Sequence, residues 1–372
     1  ISCSLVGSEM CIRDRYKGLK VNKGVADVPT VNPYLKKRIQ RKEYTPAEFV
    51  EGILKGNITI LSQAVTLVES SKYEHQQVAQ EIIEKCLPHA GKSVRIGITG
   101  VPGAGKSTSI DAFGMHLIGE GRKLAVLAID PSSERSKGSI LGDKTRMEAL
   151  SREKNAFIRP SPSAGSLGGV ARKTRETIVL CEAAGFDTVF VETVGVGQSE
   201  TAVHSMVDFF LLIQLAGTGD ELQGIKRGIM EMADGIIINK ADGDNLEKAK
   251  LAAAQFRNAL HLFPAPESGW FPKVLTYSGY YNLGIKEIWD MVGEYMEFTQ
   301  KNGYFNYKRN EQAKYWMYES INDTLRETFY HNPAVESMLN LTEQQVLNNE
   351  ISSFVAAKRM MDLFLENLSA SK

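Results

Sequence analysis

The segment GVPGAGKS, residues 100–107, constrains the fold of this chain of 372 residues more than any other stretch. It follows the apolar run VRIGIT, which has the length of a buried strand, and precedes a stretch of helical character. A glycine-rich loop between a strand and a helix can turn its backbone N–H groups around phosphate oxygens, and the helix N-terminus adds the positive end of its dipole. The spacing G-x-x-x-x-G-K-[ST] therefore predicts a phosphate-binding loop.

The chemistry of this loop assigns separate roles to its last residues. We expect the ammonium group of Lys106 to bridge the β and γ phosphates of a nucleotide, and the hydroxyl of Ser107 to bind Mg²⁺. The predicted nucleotide contacts of the loop are Gly100, Val101, Pro102, Gly103, Ala104, Gly105, Lys106, Ser107 and Thr108.

From residue 94 onward, short apolar runs alternate with helical patterns. The runs are VRIGIT, LAVLAI, AFI, TVFVE, FFLLIQ, GIIIN and KVLTY. Continuous apolar strands separated by helices are typical of a parallel sheet covered on both faces. The predicted fold class is α/β: a P-loop NTPase with a doubly wound, mainly parallel sheet, flanked by N-terminal and C-terminal helical segments.

The flanking segments set the expected domain boundaries. Residues 1–16 resemble a translated sequencing-adapter scar and are set aside, residues 17–90 form an N-terminal helical segment, residues 91–295 the nucleotide-binding domain, and residues 296–372 a C-terminal helical arm. The arm carries an apolar stripe at helical spacing, formed by Ala313, Trp316, Met317, Ile321, Leu325 and Phe329. Two alternatives remain open for this stripe: packing on the chain's own core, or packing against a second subunit in a homodimer.

Composition argues against several classes of partner. Lys+Arg and Asp+Glu both number 44, so overall charge favours neither nucleic acid nor an anionic membrane. No apolar run approaches the roughly 20 residues that span a bilayer. The four cysteines show no CxxC spacing, which indicates neither a disulfide framework nor a zinc site. We therefore expect a cytoplasmic protein with no nucleic-acid or membrane partner.

The base of the nucleotide is predicted to be read by IIINKAD, where Asn239, Lys240 and Asp242 follow an apolar strand in the arrangement N-K-x-D. A carboxylate such as Asp242 accepts hydrogen bonds and cannot donate them, so it matches the N1–H and 2-amino donors of guanine and leaves adenine unmatched. The sequence therefore favours GTP and GDP. Ser278 and Gly279, in TYSG after the next strand, are further candidates for backbone contacts with the base.

Carboxylates at other strand ends are candidates for the metal and for hydrolysis. VFVETVGVG contains Glu192, with Gly195 three residues later at a position where a backbone N–H could contact the γ phosphate, and LAIDPSS contains Asp130. Mg²⁺ takes only one or two direct protein ligands, so some of these acids are expected to act through water. In the polar segment between Asp130 and Asn155, Asp143 could join the metal shell.

The same segment could supply positive charge to the transition state through Lys144 or Arg146. A solvated loop is the alternative interpretation. The predicted catalytic residues are Lys106, Asp130, Asp143, Arg146 and Glu192. The predicted Mg²⁺ ligands are Ser107, Asp130, Asp143 and Glu192.

Together these motifs resemble the MeaB/ArgK family of P-loop GTPases, the methylmalonyl-CoA mutase-associated GTPases that include the methylmalonic aciduria type A protein. The resemblance rests on GITGVPGAGKST, LAIDPSS, GSILGDKTRM, SPSAGSLGGVARKT, ETVGVGQSE and NKAD. It implies a C-terminal dimerisation arm and Mg²⁺ near Ser107, Asp130, Asp143 and Glu192. It also implies a chaperone that uses GTP to gate cofactor loading of an adenosylcobalamin-dependent acyl-CoA mutase.

Two other functions remain as alternatives: a small-molecule kinase linked to amino-acid transport, and a metal-insertion GTPase of the nickel type. N-K-x-D argues against the ATP that a kinase would use, and the six histidines are scattered rather than clustered. Compared with Ras-like GTPases, Glu192 replaces the usual Asp and Val196 replaces Gln after Gly195. We therefore expect slow intrinsic hydrolysis, with Gln198 as a candidate to position water.

Overall fold

The computed structural model describes residues 44–130, 147–162, 167–193, 199–216 and 227–370. Within these ranges the centre is a seven-stranded sheet whose neighbouring strands are all parallel, in the order β3-β2-β4-β1-β5-β6-β7. The strands are β1 Val94–Gly100, β2 Leu124–Asp130, β3 Ala156–Pro162, β4 Thr188–Thr193, β5 Phe209–Leu215, β6 Gly235–Asn239 and β7 Lys273–Thr276. The predicted α/β class with a parallel sheet is confirmed.

Helices precede, alternate with and follow the strands. The helices before the sheet are α1 Pro46–Leu54, α2 Ile58–Glu69 and α3 Tyr73–Cys86. Those within it are α4 Lys106–Gly119, α5 Leu167–Ala183, α6 Ser199–His204, α7 Arg227–Met232 and α8 Leu246–Leu260. Those after it are α9 Ile285–Lys301, α10 Tyr304–Tyr330, α11 Pro333–Leu347 and α12 Ser353–Ala370. Helical segments therefore flank the sheet on both sides along the chain, as the sequence predicted.

The start of α1 is fixed by a reciprocal pair of capping hydrogen bonds. Thr45 is the N-cap of α1, its hydroxyl accepts from the N–H of Glu48 at 3.3 Å, and the Glu48 carboxylate accepts from the N–H of Thr45 at 2.9 Å. This reciprocal pair satisfies two backbone donors that a helix end leaves free. Pro46 occupies the first helical turn, where its missing N–H costs nothing.

The sheet is apolar on both faces, because alternate side chains of a strand point to opposite sides. Ile96 and Ile98 of β1 pack with Phe113 of α4 on one face. Val189 and Val191 of β4 pack on the other face, in a core shared with α1, α2, α3 and α5. Two covered faces explain why the strand runs are continuously hydrophobic.

The beginning of α10 is fixed to the connection between α6 and β5. The indole N–H of Trp316 donates to Ser205 O at 3.0 Å, Gln312 Nε2 donates to Val207 O at 2.8 Å, and Lys308 Nζ donates to Asp208 O at 2.8 Å. Trp316 is buried in the core of the sheet domain. Of the two alternatives for the apolar stripe, Trp316 therefore follows the first, packing on the chain's own core.

The rest of α10 and the two helices after it form a C-terminal arm. Met317, Ile321 and Leu325 of the predicted stripe are each about half exposed or more. At the end of α10, Val335, Met360 and Phe364 form a small buried cluster that holds α11 against α12. Most of the stripe therefore has no cover from the described residues of this chain. Among those residues, no helix is both long enough and apolar enough to cross a membrane.

Candidate functional site

The phosphate-binding loop lies at the carboxyl edge of the sheet, between β1 and α4. Glycine is required at both ends of the loop. A Cβ atom on Gly100 would lie 2.3 Å from the backbone oxygen of Ile213 on the neighbouring strand β5. Gly105 has φ of 84° and immediately precedes α4, and a Cβ atom there would lie 2.7 Å from Asn239 Nδ2. The close approach at Gly100 and the left-handed backbone at Gly105 therefore exclude larger residues.

Lys106 folds back over the loop that precedes it. Its Nζ donates to Gly100 O at 2.8 Å and lies 3.4 Å from Val101 O. Burial lowers the pKa of Lys106, while the charges of Glu192 and Glu200 oppose that shift. A phosphate is a stronger acceptor for an ammonium group than a backbone carbonyl, so the same lysine can turn to a bound anion.

Ser107 and Glu192 form the oxygen-rich part of the site. Ser107 Oγ donates to Glu192 Oε1 at 3.3 Å, and Glu192 is only 9% exposed. Ser107 lies in the first turn of α4, after the loop that follows β1, and β1 is adjacent to β4, with Ile98 in register with Glu192. Behind them, Thr193 Oγ1 donates to Thr99 Oγ1 at 2.8 Å. A hydroxyl and a carboxylate are hard oxygen ligands and fit Mg²⁺, which completes its shell with phosphate and water oxygens.

For the other residues predicted for the metal and for hydrolysis, the structure describes either the backbone alone or nothing. Asp130 ends β2 at the carboxyl edge of the sheet, but its side chain is not described. Asp143, Arg146 and Gly195 lie entirely outside the described ranges. Within those ranges, no group of three or more His, Cys, Asp or Glu side chains is arranged to hold a metal. Ser107 and Glu192 are therefore the candidate metal ligands that the structure brings together.

Asn239 links the phosphate loop to the two loops that are predicted to read the base. Its Nδ2 donates to Ala104 O at 2.7 Å, and its Oδ1 accepts from Gly279 N at 3.2 Å and from Lys240 N at 2.7 Å. Asn239 is buried at the end of β6. One amide thus fixes three segments that are far apart in sequence, which sets the distance between the phosphate end and the base end of the site.

The loop after Asn239 is held in an unusual conformation. Lys240 has φ of 59°, and Asn245 Nδ2 donates to Lys240 O at 2.7 Å. Ala241 N donates to Tyr277 O at 3.0 Å, which joins this loop to the one after β7. A non-glycine residue at positive φ is sparsely populated and often marks a functional loop.

Asp242, the predicted reader of guanine, is held by Ser278. Ser278 Oγ donates to Asp242 Oδ2 at 2.5 Å, and the same hydroxyl accepts from Tyr281 N at 3.3 Å. The bond fixes the rotamer of the carboxylate, which remains an acceptor for further N–H donors. Ser278 therefore acts on Asp242 through its side chain, a role that the sequence had not suggested.

Sequence reasoning missed Glu200. This carboxylate at the start of α6 is 1% exposed, and its Oε1 has no hydrogen-bond partner among the residues that the structure describes. It lies close enough to Lys106 for its charge to raise the lysine pKa. The available signal was the acid in GQSE, which follows the segment that contains Gly195 by only a few residues.

Comparisons with known proteins agree with this geometry. A family model described as "Methylmalonyl Co-A mutase-associated GTPase MeaB" matches residues 61–334. The Escherichia coli protein "GTPase ArgK" is 44% identical over 320 residues, which cover 86% of this chain and 97% of the relative. The Mus musculus protein "Methylmalonic aciduria type A homolog, mitochondrial" is 45% identical over 323 residues, covering 84% of this chain and 78% of the relative.

A solved structure titled "Crystal structure of LAO/AO transport system kinase" has a TM-score of 0.67 and 38% identity, covering 87% of this chain and 99% of that one. The family model and the Escherichia coli relative carry the name GTPase, and the match to the family model spans the phosphate loop, the candidate metal ligands and the predicted base-reading loop. The chain therefore belongs to the MeaB family of methylmalonyl Co-A mutase-associated GTPases, and it is a GTPase with the P-loop fold.

Proposed function

We propose that this GTPase is a chaperone of an adenosylcobalamin-dependent acyl-CoA mutase of the methylmalonyl-CoA mutase type. In this role, GTP binding and hydrolysis gate the loading of the cofactor and protect or reactivate the mutase. The family description names mutase association, and the mouse relative is named for methylmalonic aciduria. Both names support a mutase of methylmalonyl-CoA as the partner of this chain.

The observation that carries the nucleotide part of the proposal is the double tie made by Asn239. Because its amide holds both Ala104 and Gly279, the phosphate loop and the Asp242–Ser278 pair form one rigid frame. The frame offers backbone and ammonium donors at one end and a carboxylate acceptor at the other, which suits a guanine nucleotide. Ser107 and Glu192 are the proposed direct ligands of Mg²⁺, and Asp130 and Asp143 the proposed further members of its shell.

We also propose the domain division and the quaternary structure. Residues 91–295 would form the GTPase domain and residues 17–90 its helical extension. The arm of residues 296–372 would form a homodimer, since large apolar side chains are exposed on all three of its described helices beyond α9, among them Ile321, Leu341 and Phe354. Exposed apolar area of this extent is typical of a protein interface.

The experiment that tests the mutase partnership measures GTP turnover and GTP affinity with and without purified methylmalonyl-CoA mutase. We expect turnover by the isolated chain to be slow and to rise when the mutase is added. A partner that prefers the GTP state must also tighten GTP binding by the same coupling free energy. The Lys106→Ala variant with mutase controls for contaminating hydrolysis.

Two results decide this experiment. A parallel rise in turnover and GTP affinity supports the chaperone function. If a saturating amount of mutase changes neither quantity, the proposed partner is wrong, while GTP hydrolysis by the chain itself is unaffected by that outcome.

A second candidate function is the small-molecule kinase, because the solved relative at 38% identity carries a transport-kinase title. A kinase would transfer the γ phosphate to an acceptor, so incubation with radiolabelled ATP or GTP and a mixture of amino acids would yield a labelled product. The acceptor-only carboxylate of Asp242 disfavours ATP. Release of inorganic phosphate alone, from GTP and not from ATP, would exclude this function.

A further inference from the structure

A groove of about 760 Å³ continues from the nucleotide site along α4. Its lining includes Thr108, which follows the metal-binding Ser107, and Gly279, whose N–H is bound to Asn239. Met115, further along α4, and Tyr280, which follows Gly279, also line the groove. The groove therefore borders both the phosphate end and the base end of the site.

Tyr280 stands on a turn that is fixed at both ends. Ser278 and Leu283 exchange two backbone hydrogen bonds, each at 3.0 Å, and Tyr281 N donates to Ser278 Oγ at 3.3 Å. Asn282 completes the turn with φ of 56°. Because Ser278 also holds Asp242, the turn and the base-reading carboxylate are parts of one hydrogen-bonded unit.

The two aromatic rings on this turn are in different situations. Tyr280 is 81% exposed and lines the groove, whereas Tyr281 is 60% exposed and packs edge-on against Tyr280 at a centroid distance of 4.9 Å. A large ring held in water on a rigid turn gains free energy when a planar ligand covers it. In the proposed complex the base would bind Asp242, which Ser278 holds only two residues before Tyr280, so the base with its ribose is the planar group that this ring could cover.

We propose that Tyr280 packs its ring against the nucleoside of the bound guanine nucleotide and supplies affinity that does not depend on base identity. The proposal rests on the guanine-nucleotide site proposed above. Every base has a π face, so stacking adds affinity without selecting a base. Selection remains with Asp242, which reads the hydrogen-bonding edge. The two residues therefore divide the recognition of the nucleoside.

The test compares the dissociation constants of GDP, a non-hydrolysable GTP analogue and inorganic triphosphate for four full-length proteins: wild type, Tyr280→Ala, Tyr280→Phe and Tyr281→Ala. We expect Tyr280→Ala to weaken GDP and the GTP analogue by the same factor, about tenfold, and to leave inorganic triphosphate unchanged. Tyr280→Phe should bind like wild type because the ring is retained. Tyr281→Ala, which removes the neighbouring exposed ring, should stay within about twofold of wild type.

The outcomes separate this proposal from the one on which it rests. If wild type binds GDP and Tyr280→Ala binds it equally well, or if the loss is the same for inorganic triphosphate, Tyr280 does not contact the nucleoside. If wild type binds no guanine nucleotide, the nucleotide site itself is wrong and the proposal for Tyr280 falls with it. Because Tyr280 is exposed, thermal unfolding of all four proteins should coincide.

Discussion

Replacing Arg309 by Met tests how the C-terminal arm is attached to the sheet domain. Arg309 Nε and Nη2 donate to the two carboxylate oxygens of Asp208 at 2.8 and 2.7 Å. Its guanidinium also donates to Gly91 O at 2.5 Å and to Ser93 O at 2.7 Å. The side chains of Arg309 and Asp208 are 16% and 1% exposed, so the ion pair is buried. Arg309→Met is therefore expected to destabilise the whole domain.

The size of the effect follows from what the variant leaves behind. Removing one partner of a buried ion pair typically costs about 3–5 kcal/mol, because the other charge stays buried without compensation. Asp208 keeps one hydrogen bond, from Arg95 N at 2.9 Å, and the positive charge of Arg95 is nearby. Methionine also keeps an apolar stem beside Phe305, over which the guanidinium now lies at 4.3 Å. We therefore expect a loss near the lower limit, about 3 kcal/mol.

Urea unfolding followed by far-UV circular dichroism measures this loss as a shift in midpoint at constant slope. The matched control is Lys314→Met on the same helix. Lys314 pairs with Glu311 at 3.2 Å, but both side chains are at least half exposed. Such a surface pair contributes about 0–1 kcal/mol.

A double variant shows whether the loss comes from the buried charge. Asp208→Asn removes the carboxylate that Arg309→Met strands, so the combined loss should be smaller than the sum of the two single losses. If Arg309→Met costs no more than Lys314→Met, the buried pair does not stabilise the fold and the reasoning is refuted.

Four further predictions concern the site and the arm. Lys106→Ala should abolish tight binding of GTP and GDP without lowering the melting temperature by more than a few degrees. Wild-type affinity in this variant would mean that the phosphate loop does not bind the nucleotide. Asp242→Asn should weaken the binding of GTP and strengthen the binding of XTP by about ten- to hundredfold each, since xanthine has a carbonyl in place of the 2-amino group. Competition against a fluorescent GDP analogue measures both affinities, and an unchanged preference for guanine would mean that NKAD does not read the base. Burial and the charge of Lys308 lower the pKa of His204 to about 3, below the value of about 6.5 in the unfolded chain. Between these two values the unfolded state binds a proton that the folded state does not bind, so the free energy of unfolding decreases as the pH decreases below about 6.5. His204→Gln should remove about 1 kcal/mol of the stability difference between pH 7 and pH 5.5 in urea unfolding, and an unaltered pH dependence would contradict the assignment. Ile321→Glu should convert a homodimer to a monomer in light scattering with no loss of thermal stability, and a monomeric wild type at micromolar concentration would exclude the dimer.

The sheet could be predicted because its central strands β1, β4, β5 and β6 are buried on both faces. Each of the seven apolar runs became a strand, and the phosphate loop joins β1 to α4 where the glycine spacing placed it. These signals are local: a run of Val, Ile and Leu, or a Gly-Lys-Ser triplet at the end of a strand. The edge at which strand ends meet then follows from the parallel order alone.

The ties between distant segments carry no local signal. The sequence predicts Asn239 as a contact for the base, whereas its bonds to Ala104 and Gly279 join positions 135 and 40 residues away. The pair between Arg309 and Asp208 spans 101 residues. A polar residue in a sequence shows that it needs a partner, but the partner is decided by which segments the fold brings together.

The apolar stripe of α10 shows where periodicity stops being informative. Trp316 is buried against the sheet domain, whereas Ala313, Met317 and Ile321 of the same stripe are exposed. The helix has 27 residues, about 40 Å at 1.5 Å per residue, and Gln312 and Trp316, which hydrogen-bond to the domain, lie in its first half. Helical spacing reports that a face is apolar, and the length of the helix decides how much of that face its own domain can cover.

The contacts of Arg309 and the phosphate loop lie at opposite edges of the sheet, and this separation has a measurable consequence. Arg309 binds Ser93 O just before β1 begins, and Lys106 follows the loop that starts where β1 ends. Seven residues of extended strand separate these ends by about 20 Å, more than the 7–10 Å over which substitutions usually couple. The losses of unfolding free energy in Arg309→Met and Lys106→Ala should therefore add within about 0.5 kcal/mol in the double variant. A larger departure from additivity would show that the amino edge and the nucleotide site are energetically coupled, through β1 or through α6. The buried Glu200 is the second residue of α6, and the helix ends beside the connection that α10 contacts.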